Sequence, residues 1–151
     1  MTPGTTYDLS FWQAAGQAQG FSGATTEQWK VFLAAPGGSF HVDCSSNPCV
    51  VNTTGDIQEA DSDLMDTPSQ GVHPWELVHM MFTADAASET LSFLAWGDNG
   101  NETNLPPTVF LAGVNSPAIP EASTWAMMGL GFVGLGFVGR RRLTKRAVAT
   151  S

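Results

Sequence analysis

Residues 125–138 of this 151-residue chain read Trp-Ala-Met-Met-Gly-Leu-Gly-Phe-Val-Gly-Leu-Gly-Phe-Val, with no charge and, apart from the Trp125 indole, no side chain that needs a hydrogen-bond partner. A run that is apolar on every side has no face to turn to water, so it belongs in a protein core or in lipid. Extended over residues 122–139 as a helix, it is about 27 Å long, close to the roughly 30 Å of a bilayer's hydrocarbon layer. Gly129, Gly131, Gly134 and Gly136 fall within a twice-written Gly-Leu-Gly-Phe-Val, and Gly139 follows it. Glycine is costly in a helix facing water but common in membrane helices. Arg140, Arg141 and Arg142 follow at once, and a buried core helix or hairpin, the competing reading, has no use for such a flank. Basic residues stay on the cytoplasmic side, which puts the body of the chain outside and Trp125 at the far interface. A single transmembrane helix over residues 125–139 and a basic cytoplasmic tail over 140–151 are expected.

The charges are segregated in the same sense. Only Lys30 among the six Lys and Arg residues precedes Arg140, whereas all fourteen acidic residues lie at or before Glu121. Residues 1–121 thus set one cation against fourteen acids, a field that repels polyanions and argues against nucleic acid as a partner.

Between body and apolar run stands Ile119-Pro120-Glu121-Ala122-Ser123-Thr124. This motif, the Gly-rich run and the Arg cluster together resemble the bacterial PEP-CTERM sorting domain, with Ala122 where the family has a second proline. The resemblance implies processing near Pro120-Glu121 by an exosortase, a membrane transpeptidase-like enzyme of exopolysaccharide-producing Gram-negative bacteria. It also implies a membrane-held precursor, in contact with lipid, destined for the cell surface or the extracellular matrix. Met1-Thr2-Pro3-Gly4-Thr5-Thr6-Tyr7 has none of the marks of a secretory signal, so an internal start with a signal peptide and first strands upstream is expected. A tail-anchored cytoplasmic domain is the alternative.

The body, residues 1–117, reads as short strands and turns. From Tyr7 to Gln13 the chain alternates, with Tyr7, Leu9 and Phe11 on one face and Asp8, Ser10 and Trp12 on the other. Residues 28–33, 40–42, 75–84, 90–96 and 109–114 supply further strands, the stretch 75–82 being ambiguous with a short helix. The connections are rich in Gly, Asn, Asp, Ser and Pro. A mainly β fold follows: an antiparallel β-sandwich of six or seven strands, joined through a linker at residues 118–124 to the membrane helix. The phrases around residues 2–11, 82–84, 90–93 and 107–114 resemble the galactose-binding-like jelly roll of choice-of-anchor families, with Ala112 where those have an acidic residue, and this resemblance implies that the sandwich is jelly-roll-like.

Candidate chemistry is sparse. Cys44 and Cys49 flank the turn signal Asn47-Pro48, a spacing suited to a small disulfide loop in an oxidising compartment or to two free thiols. The acidic run Asp56, Glu59, Asp61, Asp63 and Asp66 offers oxygens for Ca²⁺ but lacks an EF-hand's turn Gly and closing Glu, so it reads as a solvated charged loop. His41, His73 and His79 have no nucleophile motif beside them. No cofactor or metal is expected, and no enzymatic role. Trp12, on the polar face of its strand, and Trp75 are candidates for stacking on a sugar ring, against the commoner fate of core burial. The expected function is a non-enzymatic, surface-directed protein associating with exopolysaccharide or the cell envelope. The alternatives are an anchored fragment of a polysaccharide-acting enzyme and a structural matrix protein without a ligand.

Overall fold

The computed structural model describes residues 1–97 and 108–118. The chain divides into compact units of residues 1–118 and 119–151, and the described residues all belong to the first. They form nine strands: β1 (Thr6–Gly16), β2 (Thr25–Ala34), β3 (Ser39–Asp43), β4 (Val50–Thr54), β5 (Ile57–Asp61), β6 (Met65–Thr67), β7 (Val72–Thr83), β8 (Thr90–Gly97) and β9 (Val109–Asn115). Among the described residues there is no helix, and the stretch that was ambiguous over residues 75–82 is strand β7.

Two antiparallel sheets are each built around a long central strand. In one, β1 lies between β7 and β9. In the other, β2 pairs with β8 along residues 27–34, while its opposite edge is shared by β5, at residues 30–34, and β6, at residues 25–27. The alternation read from the sequence decides which faces meet. Leu9 and Phe11 of β1, Met80 and Phe82 of β7, and Val31 and Leu33 of β2 form one buried cluster, with Trp29, Leu91, Phe93 and Leu111 packed against it. The Phe11 and Phe93 rings meet edge to face at 5.3 Å, a favoured aromatic geometry that ties the two sheets together. At one margin Gln58 spans the sheets, its amide donating to the Thr83 carbonyl and its Oε1 accepting from the Thr83 N–H.

The β3–β4 hairpin carries the β2–β5 ladder onward after a kink. The ladder pairs Ala34 with Ile57 and resumes with Ser39 opposite Thr54, so the register shifts between them. Gly38 permits the kink, because a Cβ there would stand 2.4 Å from the Asp56 carbonyl oxygen. Past it, Phe40 stacks on Phe32 at 4.1 Å between ring centroids, and Phe32 is fully buried although it stands on the face of β2 opposite the core.

Strands β5 and β6 correct the expected solvated loop. Acid-rich though it is, the segment pairs with β2, since Ala60 and Met65 are covered while Glu59 and Asp61 meet Lys30 across the ladder. The expected transmembrane helix over residues 125–139 and the basic tail over 140–151 lie outside the described residues. Among the described residues no helix is long and apolar enough to cross a membrane.

Candidate functional site

The pleat of the β7-β1-β9 sheet sends Leu9, Phe11 and Gln13 inward and Asp8, Ser10, Trp12 and Ala14 outward. Directly opposed residues share a face, so the pairs Trp12 with Leu77, Trp12 with Ala112 and Ala14 with Phe110 put Leu77, Ala112 and Phe110 on that outer face, and alternation along β7 adds Trp75 two residues before Leu77. The face is mostly apolar and open to water. Trp12 is 45% exposed, Trp75 52% and Phe110 46%, with Leu77 and Val72 exposed as well. The Trp75 and Phe110 rings lean together at 6.3 Å and 48°. Between them a shallow cleft of about 330 Å³ is lined by Ala14, Ala15, Val72, His73, Pro74 and the two rings.

Two irregularities shape this surface. The register with β7 slips between Gln13 and Ala15, and that with β9 slips between Ser10 and Trp12. Such bulges re-aim side chains locally. Gly113 sits at the second slip with φ +62°, where a Cβ would come within 3.3 Å of Trp12 Cδ1. Glycine there both takes the left-handed conformation without strain and leaves the Trp12 indole its place.

On this face the Asp8 carboxylate has His79 for a neighbour, with His79 Nδ1 3.1 Å from each of its oxygens. On the opposite face Glu76, paired with Gln13, accepts a 2.5 Å hydrogen bond from the buried Gln13 amide and lies 3.6 Å from His73 Nε2. Lys30, the one Lys or Arg before Arg140, is on the other sheet, held by Asp61 at 2.8 Å and Glu59 at 3.2 Å and seated 5.6 Å over the Trp96 ring. Partial burial works to lower its pKa, but the hydrogen bonds to Asp61 and Glu59 outweigh that and hold it above the ordinary lysine value.

Of the residues singled out in the sequence, Trp12 and Trp75 share a face, which one alternating strand alone does not reveal. Leu77, Phe110 and the cleft were missed; only their places in alternating strands hinted at them. Trp29 is core-facing, its indole N–H donating to the Phe110 carbonyl at 3.4 Å. Cys44 and Cys49 are joined in a disulfide across the tip of the β3–β4 hairpin. Beside it, the Ser45 backbone N–H donates to the Asp43 carboxylate, lowering its pKa. His41 stands on β3, apart from the other two histidines. Among the described residues no three His, Cys, Asp or Glu side chains gather as for a metal ion. The motif residues Ile119, Pro120, Glu121, Ala122, Ser123 and Thr124, and Arg140, Arg141 and Arg142, lie outside the described residues. The residue just before them, Ala118, pairs with Tyr7 at the margin of the same sheet.

Comparison with protein families identifies a PEP-CTERM protein-sorting motif at residues 118–142. This motif implies an exosortase as processing partner and suits a precursor anchored by its C-terminal part and processed to the cell surface. Comparison with curated proteins and with solved structures gives no match.

Proposed function

We propose that this protein is an exosortase-sorted surface protein of a Gram-negative bacterium whose β domain holds an uncharged extracellular polysaccharide on the outer face of the β7-β1-β9 sheet, without catalysing a reaction. Before processing, residues 125–139 cross the membrane once, with Arg140, Arg141 and Arg142 holding the tail in the cytoplasm. The cluster of Trp12, Trp75 and Phe110, each about half exposed on one sheet face, carries the binding reading. Indole and phenyl rings offer flat, electron-rich faces on which the C–H groups of a pyranose ring stack. A polymer presents such rings in series, and the face runs across three strands.

Charge supports an uncharged partner. A uronate or phosphate polymer needs a cation, and the one Lys or Arg of residues 1–121 is engaged by two carboxylates on the opposite sheet. The remaining field is strongly acidic and repels polyanions. The test is retardation of the full-length protein in gels cast with a neutral glucan or with alginate. Retardation by the glucan alone, abolished in Trp12→Ala/Trp75→Ala and kept when residues 119–151 are deleted, is the expected result. Equal mobility of the wild type and the double variant in every gel would remove the reading.

A further inference from the structure

Strand β9 does not end the sheet. Beyond Asn115, which pairs with Ser10, the Asp8 N–H donates to the Pro117 carbonyl at 3.1 Å, and Ala118 bridges Tyr7. Residues 115–118 thus form a strap along the first half of β1, and the sorting motif begins on its last residue, Ala118. From Ala118 to Glu121 even a fully extended chain covers only about 10 Å. An enzyme that works on a peptide segment grips it extended, with main-chain hydrogen bonds at successive residues on both sides of the point of attack. On the upstream side of Pro120-Glu121 those residues are the strap, whose main chain is engaged with β1.

We propose that the segment recognised by the exosortase extends upstream into residues 115–118, and that the enzyme takes this strap out of the sheet as its substrate strand. The inference rests on the sorting reading above. Three features suit the strap to leaving. All four of its side chains are exposed, so little apolar surface is uncovered when it goes. Among the described residues beyond Asn115, the Tyr7–Ala118 bridge, with its Asp8 N–H to Pro117 carbonyl hydrogen bond, is what holds it to β1. The register slip at Gly113 separates it from the regular pairs of Trp12, Gln13, Ala14 and Ala15 with β9, so it peels at the bulge while those rungs stay closed.

The experiment follows processing of the full-length chain in cells carrying an exosortase, by the shift to the cleaved form. Tyr7→Cys/Ala118→Cys locks the strap when oxidised. The locked chain is expected to go unprocessed, to be processed again after reduction, and to be processed even when locked if Gly-Ser-Gly-Ser is inserted after Ala118. Processing of the locked chain without the insertion, at the wild-type rate, overturns the proposal, as does failure of the insertion to restore it. Glu121→Ala serves as the separate control: if wild type and Glu121→Ala are handled alike, the sorting reading itself fails, whatever the strap does.

Discussion

The two sheets of this domain treat their outer faces differently. On the β2 sheet, aromatic residues standing away from the core are covered: Phe32 lies under Phe40 and is fully buried, and Trp96 lies under the Lys30 ammonium, which Glu59 and Asp61 clasp in turn. On the β1 sheet, Trp12, Trp75 and Phe110 are left about half exposed, with Leu77 beside them. One chain therefore contains both solutions to the same problem. A surface that leaves large aromatics uncovered, in a domain that covers them elsewhere, calls for a ligand or partner. The comparison separates aromatics that hold the fold together from aromatics available for binding.

The comparison breaks most visibly on the covered side. Phe32→Ala is expected to destabilise the domain by about 3–5 kcal/mol, the usual cost of emptying a buried Phe site, measured by urea unfolding. If Trp75→Ala, in the same assay, costs as much as Phe32→Ala, the two faces are not different in kind.

Binding should show the reverse. Trp75→Ala is expected to weaken retention by a neutral glucan by about 0.5–1.5 kcal/mol, up to roughly tenfold in affinity, while leaving the unfolding midpoint near the wild type. Quantitative affinity electrophoresis reads the first and urea unfolding the second.

A smaller effect sharpens the charged side. Lys30→Met removes a cation shared by two partly exposed carboxylates, a loss of about 1 kcal/mol or less. The pH dependence has a definite sign. The Lys30 pKa is raised in the fold, so its contribution is complete below the unfolded lysine value, near 10.4, and is lost as pH rises through the higher folded value. Wild type and Lys30→Met should therefore converge in stability in alkaline solution above that point and differ at neutral pH. Parallel curves over this range would contradict the pairing.

The smallest signal is local. The Ser45 N–H keeps the Asp43 carboxylate ionised to lower pH than an ordinary aspartate. Its carboxyl carbon should titrate below the usual range in an NMR pH series. Only this local titration is predicted to change.

Much of this architecture was legible in single strands. The alternation from Tyr7 to Gln13 sorted Leu9 and Phe11 from Trp12 correctly, because a half-buried strand writes its two faces at a period of two. What one strand cannot contain is its partner. Trp12 is joined on its face by Leu77 and Ala112 through pairings that span 65 and 100 positions of sequence, and nothing in residues 7–13 specifies them. The acidic stretch failed for a related reason. Glu59 and Asp61 look like loop residues until Lys30 is set across from them, and that neighbour comes from β2. The β3–β4 hairpin was half seen, since Phe40, His41 and Val42 alternate but Val50 and Val51 stand among polar residues. The sorting motif needed no tertiary information, because a polar motif, an apolar run and a basic cluster in that order are a local pattern.

The central claim is that the outer face of the β1 sheet is where sugar is held, and indole N–H resonances test it one tryptophan at a time. On titration with a soluble neutral oligosaccharide, the signals of Trp12 and Trp75 should move together and saturate, while those of Trp29, in the core, and Trp96, under Lys30, stay in place. Movement confined to Trp29 or Trp96, or no movement at any indole while the polymer is bound, would contradict the account.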